Sequence, residues 1–332
     1  MCKANRCGEP QGLTYVGGPL HHVGMTDQLF TLEDGRRLGV NTHGNPVADR
    51  IVVFCHPAPG SGVFDPDPTV SQQSDAHIVA LDRPGYGSSD PLPSGVWPSV
   101  ARAADDIAQF LRARSEIGMS LGEGADKGIS VVGWSAGGRV ALALAARHPQ
   151  LISRVAVIGT PAPNDAVEWI PKPLAEQSEA LSHLPAEEAF ETLTDAFAHE
   201  AAARGFQPSD PPPLSVLGVR DVDDAVLDRP GVRDRLEMML QDAVRQGSIG
   251  QVTDLLAYTA HPWGFDLADV KAQTLLVYGS EDAISTEHGD WYASQLVNVT
   301  RDDVDGVGHL AIVPAWKRVL DFLTDGRHPL GR

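Results

Sequence analysis

Cysteine is scarce: of three in 332 residues, Cys2 and Cys7 fall near the N-terminus and Cys55 lies in an apolar run. Three such positions do not make a disulfide framework. Cys2 and Cys7 have no second Cys or His pair at ligand spacing, so no metal is expected. Cys55 reads as a small buried apolar side chain. Basic charge is also short: Lys plus Arg number 26 against 44 Asp plus Glu, a net charge of −18. No cluster of Lys and Arg is interleaved with aromatics, which make up only 6% of the chain. That balance argues against a nucleic-acid partner and against docking on anionic lipid. No apolar run approaches the roughly 20 residues of a bilayer span, so no membrane partner is expected. The first 25 residues carry Lys3 and Arg6 but then Gly, Pro and His in place of an apolar core, so they do not read as a secretory signal. A cytoplasmic chain is the expectation. Residues 1–25 read as an N-terminal extension, either disordered or draped over a neighbouring subunit, and a homo-oligomer is compatible with the sequence.

What is present describes an ordinary globular chain, 42% hydrophobic and 21% charged, with one large domain or one domain carrying a sizeable insertion. Two β-rich runs, 28–33 and 37–42, flank Asp34-Gly35 as a hairpin. Five further runs, at 50–55, 77–81, 129–133, 154–158 and 274–279, are continuously apolar rather than alternating. Strands of a parallel sheet covered on both faces have that pattern. Helical patterns at 98–114 and 136–147 lie between them, which implies an α/β domain with right-handed crossovers. A last strand is expected at 298–304 and an amphipathic helix at 314–325.

The alternation breaks at 161–269. This stretch opens with Pro161, Pro163, Pro171 and Pro173, contains Pro211-Pro212-Pro213, and otherwise reads as amphipathic helix, notably at 186–204 and 232–245. It is expected to be a helical cap inserted between two strands of one sheet, leaving 26–160 and 270–332 as the core domain. The cap holds 20 Asp plus Glu and 7 Lys plus Arg, so −13 of the −18 is concentrated there. Most of these charges read as solvated helix faces; an acidic lid also disfavours polyanionic substrates.

The strongest chemical signal is Gly133-Trp134-Ser135-Ala136-Gly137-Gly138, a G-x-S-x-G placed between an apolar strand and an Ala- and Leu-rich helix. Such a turn lifts Ser135 above the strand ends, which makes it the candidate nucleophile. A serine hydroxyl needs a base, and the base needs an orienting acid. Of twelve histidines, His309 follows Val307-Gly308 in a small-residue loop after the last strand; His148 stops a helix and His288 reads as a surface position beside Glu287. For the acid, the strand TLLVYG runs into Ser280-Glu281-Asp282, at the carboxyl edge where catalytic groups collect. Asp282 is the choice, with Glu281, Asp290, Asp302, Asp303 and Asp305 as alternatives. An oxyanion needs two N–H donors. Ala136, next after the nucleophile, is one. Ala58 is the other, because Pro57 and Pro59 beside it have no N–H to offer. Trp134, and Trp263 and Phe265 where the insertion returns to the sheet, are candidate substrate contacts. Asp82 and Arg83, in the turn DRPGYGS, are expected to hold loops together.

In sequence order, HPAPGSG, ALDRPGYGSSD, GWSAGG, a helical insertion, WGF, YGSED and GVGHL resemble the α/β-hydrolase superfamily, in the branch with a cap domain and a Ser-Asp-His triad. The resemblance extends from Leu29 to Thr324. It implies a mostly parallel central sheet flanked by helices, with Ser135, Asp282 and His309 as the triad and Ala58 and Ala136 as oxyanion donors. The family usually has His-Gly where this chain has His56-Pro57. A Ser nucleophile in place of Asp implies an acyl-enzyme, and so a serine hydrolase acting on a carboxylic ester of a small organic molecule without a cofactor. The same triad serves lactones, thioesters, amides, amino-terminal peptide bonds, perhydrolysis and carbon-carbon bonds. The alternative from another class is a non-catalytic small-molecule receptor on the same fold.

Overall fold

A computed structural model describes residues 28–116, 128–203, 205, 207 and 210–325. The expected N-terminal extension, with Cys2 and Cys7, lies outside the described residues. Eight strands, β1 (Gln28–Thr31), β2 (Arg37–Gly44), β3 (Ile51–Cys55), β4 (His77–Leu81), β5 (Ile129–Trp134), β6 (Ile152–Ile158), β7 (Gln273–Val277) and β8 (Val299–Arg301), form one sheet. Their order is β1-β2-β4-β3-β5-β6-β7-β8. The two pairs made by β2 are antiparallel and the remainder parallel.

Successive strand side chains alternate between the two faces, and in this sheet both faces are covered. Val53 and Cys55 of β3 join one apolar cluster while Val52 and Phe54 join the other; Val131 and Val132 of β5 divide in the same way. This accounts for the unbroken apolar runs. Helices α1 (Pro68–Gln73), α2 (Val100–Glu116) and α3 (Ala136–Arg147) follow β3, β4 and β5. Eleven of the twelve residues of α3 are buried, which explains its Ala-, Gly- and Leu-rich sequence.

Between β6 and β7 come α4 (Lys172–Ser182), α5 (Ala186–Ala203), α6 (Asp224–Leu227), α7 (Val232–Ala243) and α8 (Ile249–Thr259). No strand interrupts the described part of this insertion. It has a small apolar cluster of its own, in which Leu181, Ala189 and Leu193 meet Val252 and Leu256. After β7 the chain adds α9 (Thr286–Gln295), then β8, then α10 (Ile312–Asp325), whose Trp316, Val319 and Leu323 close the second face of the sheet. The last strand is shorter than the sequence suggests: only Val299–Arg301 pair in a ladder, with one further bridge from Gly279 to Val304. No helix among the described residues is long and apolar enough to cross a membrane.

Candidate active site

Strand β5 ends at Trp134 and α3 begins at Ala136, so Ser135 makes the turn alone. Its φ is +53°, and it is the one non-glycine residue at positive φ among the described residues. A backbone held there costs on the order of 1–3 kcal/mol and persists only where its surroundings enforce it. The enforcement is visible. The Ser135 N–H donates to the Ile158 carbonyl at 2.7 Å, and its carbonyl accepts from Thr160 Oγ1 at 2.8 Å. A Cβ on Gly133 would strike the Gly137 backbone, and one on Gly137 would strike the Cys55 carbonyl, so both flanking glycines are required by close approach.

His309 follows β8 in a short helical turn, and its Nδ1 lies 2.8 Å from Asp282 Oδ2, the carboxylate that emerges just beyond β7. Asp282 Oδ1 accepts the Ile284 N–H at 2.9 Å, which fixes the carboxylate plane. Burial opposes charge on His309, but Asp282 beside it and Asp223 further off hold its pKa above the ordinary imidazole value. The alternatives for the acid are placed elsewhere: Glu281 is exposed, Asp290 and Asp303 pair with Arg301, and Asp302 pairs with Arg318.

Ser135, Asp282 and His309 line one cavity of about 430 Å³, together with Ala58 and Ala136. The insertion contributes Leu174, Phe197, Leu217, Leu255 and Tyr258 to its wall. The strand-to-helix serine, the covering insertion, the carboxylate and the histidine follow one another along the chain in the order the motifs suggested. A family model described as alpha/beta hydrolase fold matches residues 50–314.

The chain belongs to the alpha/beta hydrolase family.

A pimeloyl-[acyl-carrier protein] methyl ester esterase from Aromatoleum aromaticum is 33% identical over 187 residues, which is 54% of this chain and 66% of that protein. A solved thermophilic esterase from Thermogutta terrifontis superposes with a TM-score of 0.62 at 18% identity, over 91% of this chain and 97% of the other. An enol-lactonase from Burkholderia xenovorans gives 0.59 at 17%, over 90% of this chain and 98% of the other. At these identities the solved structures attest the fold of this alpha/beta hydrolase.

Two sequence expectations, for Trp134 and His288, need correction. Trp134 is wholly buried and does not line the Ser135 cavity; its indole N–H donates to the His309 carbonyl at 3.1 Å, so it props the histidine loop instead of facing substrate. Trp263 and Phe265 are also outside the Ser135 cavity. They stack on each other and line a neighbouring cavity of about 730 Å³. His288 is not a surface residue but 1% exposed, its Nδ1 accepting the Ala162 N–H. Helix α9 turns it inward, a fact that its charged neighbour Glu287 conceals. Cys55 is buried as expected, and burial pushes its thiol up to about 12, which leaves it no thiolate for chemistry.

Two insertion carboxylates escaped the sequence reading. Asp223, fully buried, accepts the Gly308 N–H at 2.9 Å and the Leu310 N–H at 3.3 Å, gripping the backbone on both sides of His309. Nothing in the acid-rich run 221–224 sets it apart from its neighbours. Asp254 makes a bidentate pair with Arg83, Nε to Oδ1 at 3.0 Å and Nη2 to Oδ2 at 2.6 Å. Arg83 also donates to the carbonyls of His56 and Pro57, immediately before Ala58. Asp254 did leave a signal: it is the one charged residue of α8. Asp82 accepts the N–H groups of Gly62 and Ser88, the loop-holding role expected of it. Burial, with the Arg83 cation adding to it, holds the His56 pKa well below its usual value. That imidazole is therefore a neutral prop whose Nε2 accepts the Arg83 N–H.

Proposed function

We propose that this alpha/beta hydrolase is a serine hydrolase that cleaves a carboxylic ester of a small organic molecule through an acyl-enzyme. The observation that carries the reading is Ser135, held at positive φ, sharing one cavity with a His309 whose Nδ1 is 2.8 Å from Asp282. With Nδ1–H donated to Asp282, the free Nε2 takes the Ser135 proton as Oγ attacks the ester carbonyl. The N–H groups of Ala58 and Ala136 receive the oxyanion. His309 then passes its proton to the departing alcohol, and a water molecule repeats the sequence to release the acid and restore Ser135. The helical insertion acts as the cap, and the cavity volume suits a small organic substrate. The relative named as a methyl ester esterase supports an ester over other acyl derivatives.

The direct test is intact mass after treatment with a fluorophosphonate probe. One adduct on the wild type and none on Ser135→Ala is the expected result. A wild type that stays unlabelled, or a mutant labelled as fully, overturns the assignment.

The pH profile gives a second check. His309 must be neutral to accept a proton, and its raised pKa means that the neutral form is lost as pH falls through a value higher than the ordinary 6.5. The acid limb of kcat/KM is therefore expected above pH 6.5, with the slope of a single protonation. A limb centred below 6 contradicts this account of the base.

A further inference from the structure

Arg139 stands on the first turn of α3, four residues after Ser135, and is 1% exposed. A guanidinium taken out of water normally meets a carboxylate, because an unpaired buried charge is costly. Here it does not. Its Nε and Nη2 both donate to the Pro161 carbonyl, at 3.2 and 3.0 Å, and its carbon lies 4.7 to 5.1 Å from the ring centres of Tyr258, Trp169 and Trp263. Among the described residues no carboxylate pairs with it. Beside it the indole Nε1 of Trp169 is buried without a hydrogen-bond partner.

Both residues line the Ser135 cavity and also the neighbouring 730 Å³ cavity, so a cation and an unused N–H donor meet on the wall that the two spaces share. Both groups only donate. Tyr258, whose hydroxyl is likewise buried without a partner, lines both spaces too, but it is neutral; a negatively charged acceptor satisfies the cation as well as the indole. The exposed rim of the outer cavity carries Asp165, Glu179 and Asp266, which disfavour a ligand with several negative charges. Three ring contacts already occupy the faces of the aromatics nearest the guanidinium, so the wall does not suit a second cation.

We propose that Arg139 and Trp169 Nε1 form a subsite for a carboxylate of the substrate, so that the ester cleaved at Ser135 carries one free carboxylate. This deepens the ester-hydrolase reading and rests on it. The planar fork of arginine matches a carboxylate, and Trp169 adds a donor whose only cost is its own desolvation, already incurred in the free protein. Pre-existing desolvation makes the subsite selective: a neutral ester of equal length leaves both groups unanswered.

The test compares matched esters. Monomethyl adipate against methyl hexanoate places the carboxylate on the acyl part; 4-acetoxybutanoate against butyl acetate places it on the alcohol part. The wild type is expected to prefer the charged member of at least one pair by tenfold or more in kcat/KM, and the pair that responds identifies the part held by Arg139. Arg139→Gln should reduce that preference at least tenfold, and Arg139→Lys should restore part of it. Trp169→Phe, which keeps a ring but removes the N–H, should reduce it about threefold. Should Arg139→Gln fail to fold, Trp169→Phe decides. Equal losses on charged and neutral esters, or no preference in the wild type, overturn the proposal. If no ester is hydrolysed at all, the ester reading fails separately, and calorimetric binding of adipate to wild type and Trp169→Phe still decides the subsite: weaker binding to the variant supports it, and no binding or equal binding overturns it.

Discussion

Ser135→Ala should lower kcat on any accepted ester by on the order of a million-fold, leaving only the catalysis that bound substrate and oxyanion donors provide without a nucleophile. On a transition-state scale this is about 8 kcal/mol, a loss that only removal of His309, the base acting on the same proton, should match. The expectation is sharp because the substitution disturbs so little else. The hydrogen bonds to the Ile158 carbonyl and from Thr160 Oγ1 are made by the Ser135 backbone and survive the change. Alanine meets the same positive φ at similar cost. The thermal transition should therefore stay within a few degrees of the wild type while turnover disappears. A mutant retaining more than a tenth of wild-type kcat would remove Ser135 from the reaction.

The second large effect is expected at Asp282. Asp282→Asn keeps the shape but replaces an acceptor at His309 Nδ1 by an amide that can donate there, which favours the tautomer with its proton on Nε2. That tautomer has no lone pair for the Ser135 proton. A fall in kcat of about ten-thousand-fold is the expected outcome. The acid limb should also move down, because burial then acts on His309 without the carboxylate that outweighs it in the wild type. Steady-state kinetics across pH 5 to 9 measures both changes. Glu281→Gln, one residue away and exposed, should remain within about twofold of wild type. A loss at Glu281 with Asp282→Asn within tenfold of wild type would exchange their roles.

The sheet and the nucleophile turn were legible because their signals are local. IVVFC is apolar at every position and ISVV at all but Ser130, as a strand covered on both faces requires, and Gly133, Gly137 and Gly138 advertise close approaches that leave no room for a side chain. Asp282 and His309 could be singled out as candidates because they follow β7 and β8, parallel strands that end on the same edge of the sheet as β5. The side chains that decide the cavity wall were not legible in the same way. Trp134 adjoins the nucleophile, yet strand alternation sends it into the opposite apolar layer against Phe64. Trp263 and Phe265 stand where the insertion rejoins the sheet, but apart from the adjacent α8 their neighbours come from α4 and α9, far away in sequence. Arg139 shows the difficulty from the other side. A charge inside the run AGGRVALALAA is conspicuous, but its lack of a carboxylate is a property of the packed molecule alone.

The reach of Asp223 and Asp254 from the insertion into the core limits how such a scaffold can diversify. A segment grafted from a relative in place of 161–269, without acids at these two places, would strand Arg83 as a buried cation, at a cost of about 3–5 kcal/mol. It would also leave the N–H groups beside His309 without an acceptor. The insertion is therefore not a detachable cassette but a keyed part. New substrate ranges are open to this lineage through point changes at lining positions such as Leu174, Phe197 and Leu255, which hold no key, and closed to wholesale exchange unless the two acids travel with the graft.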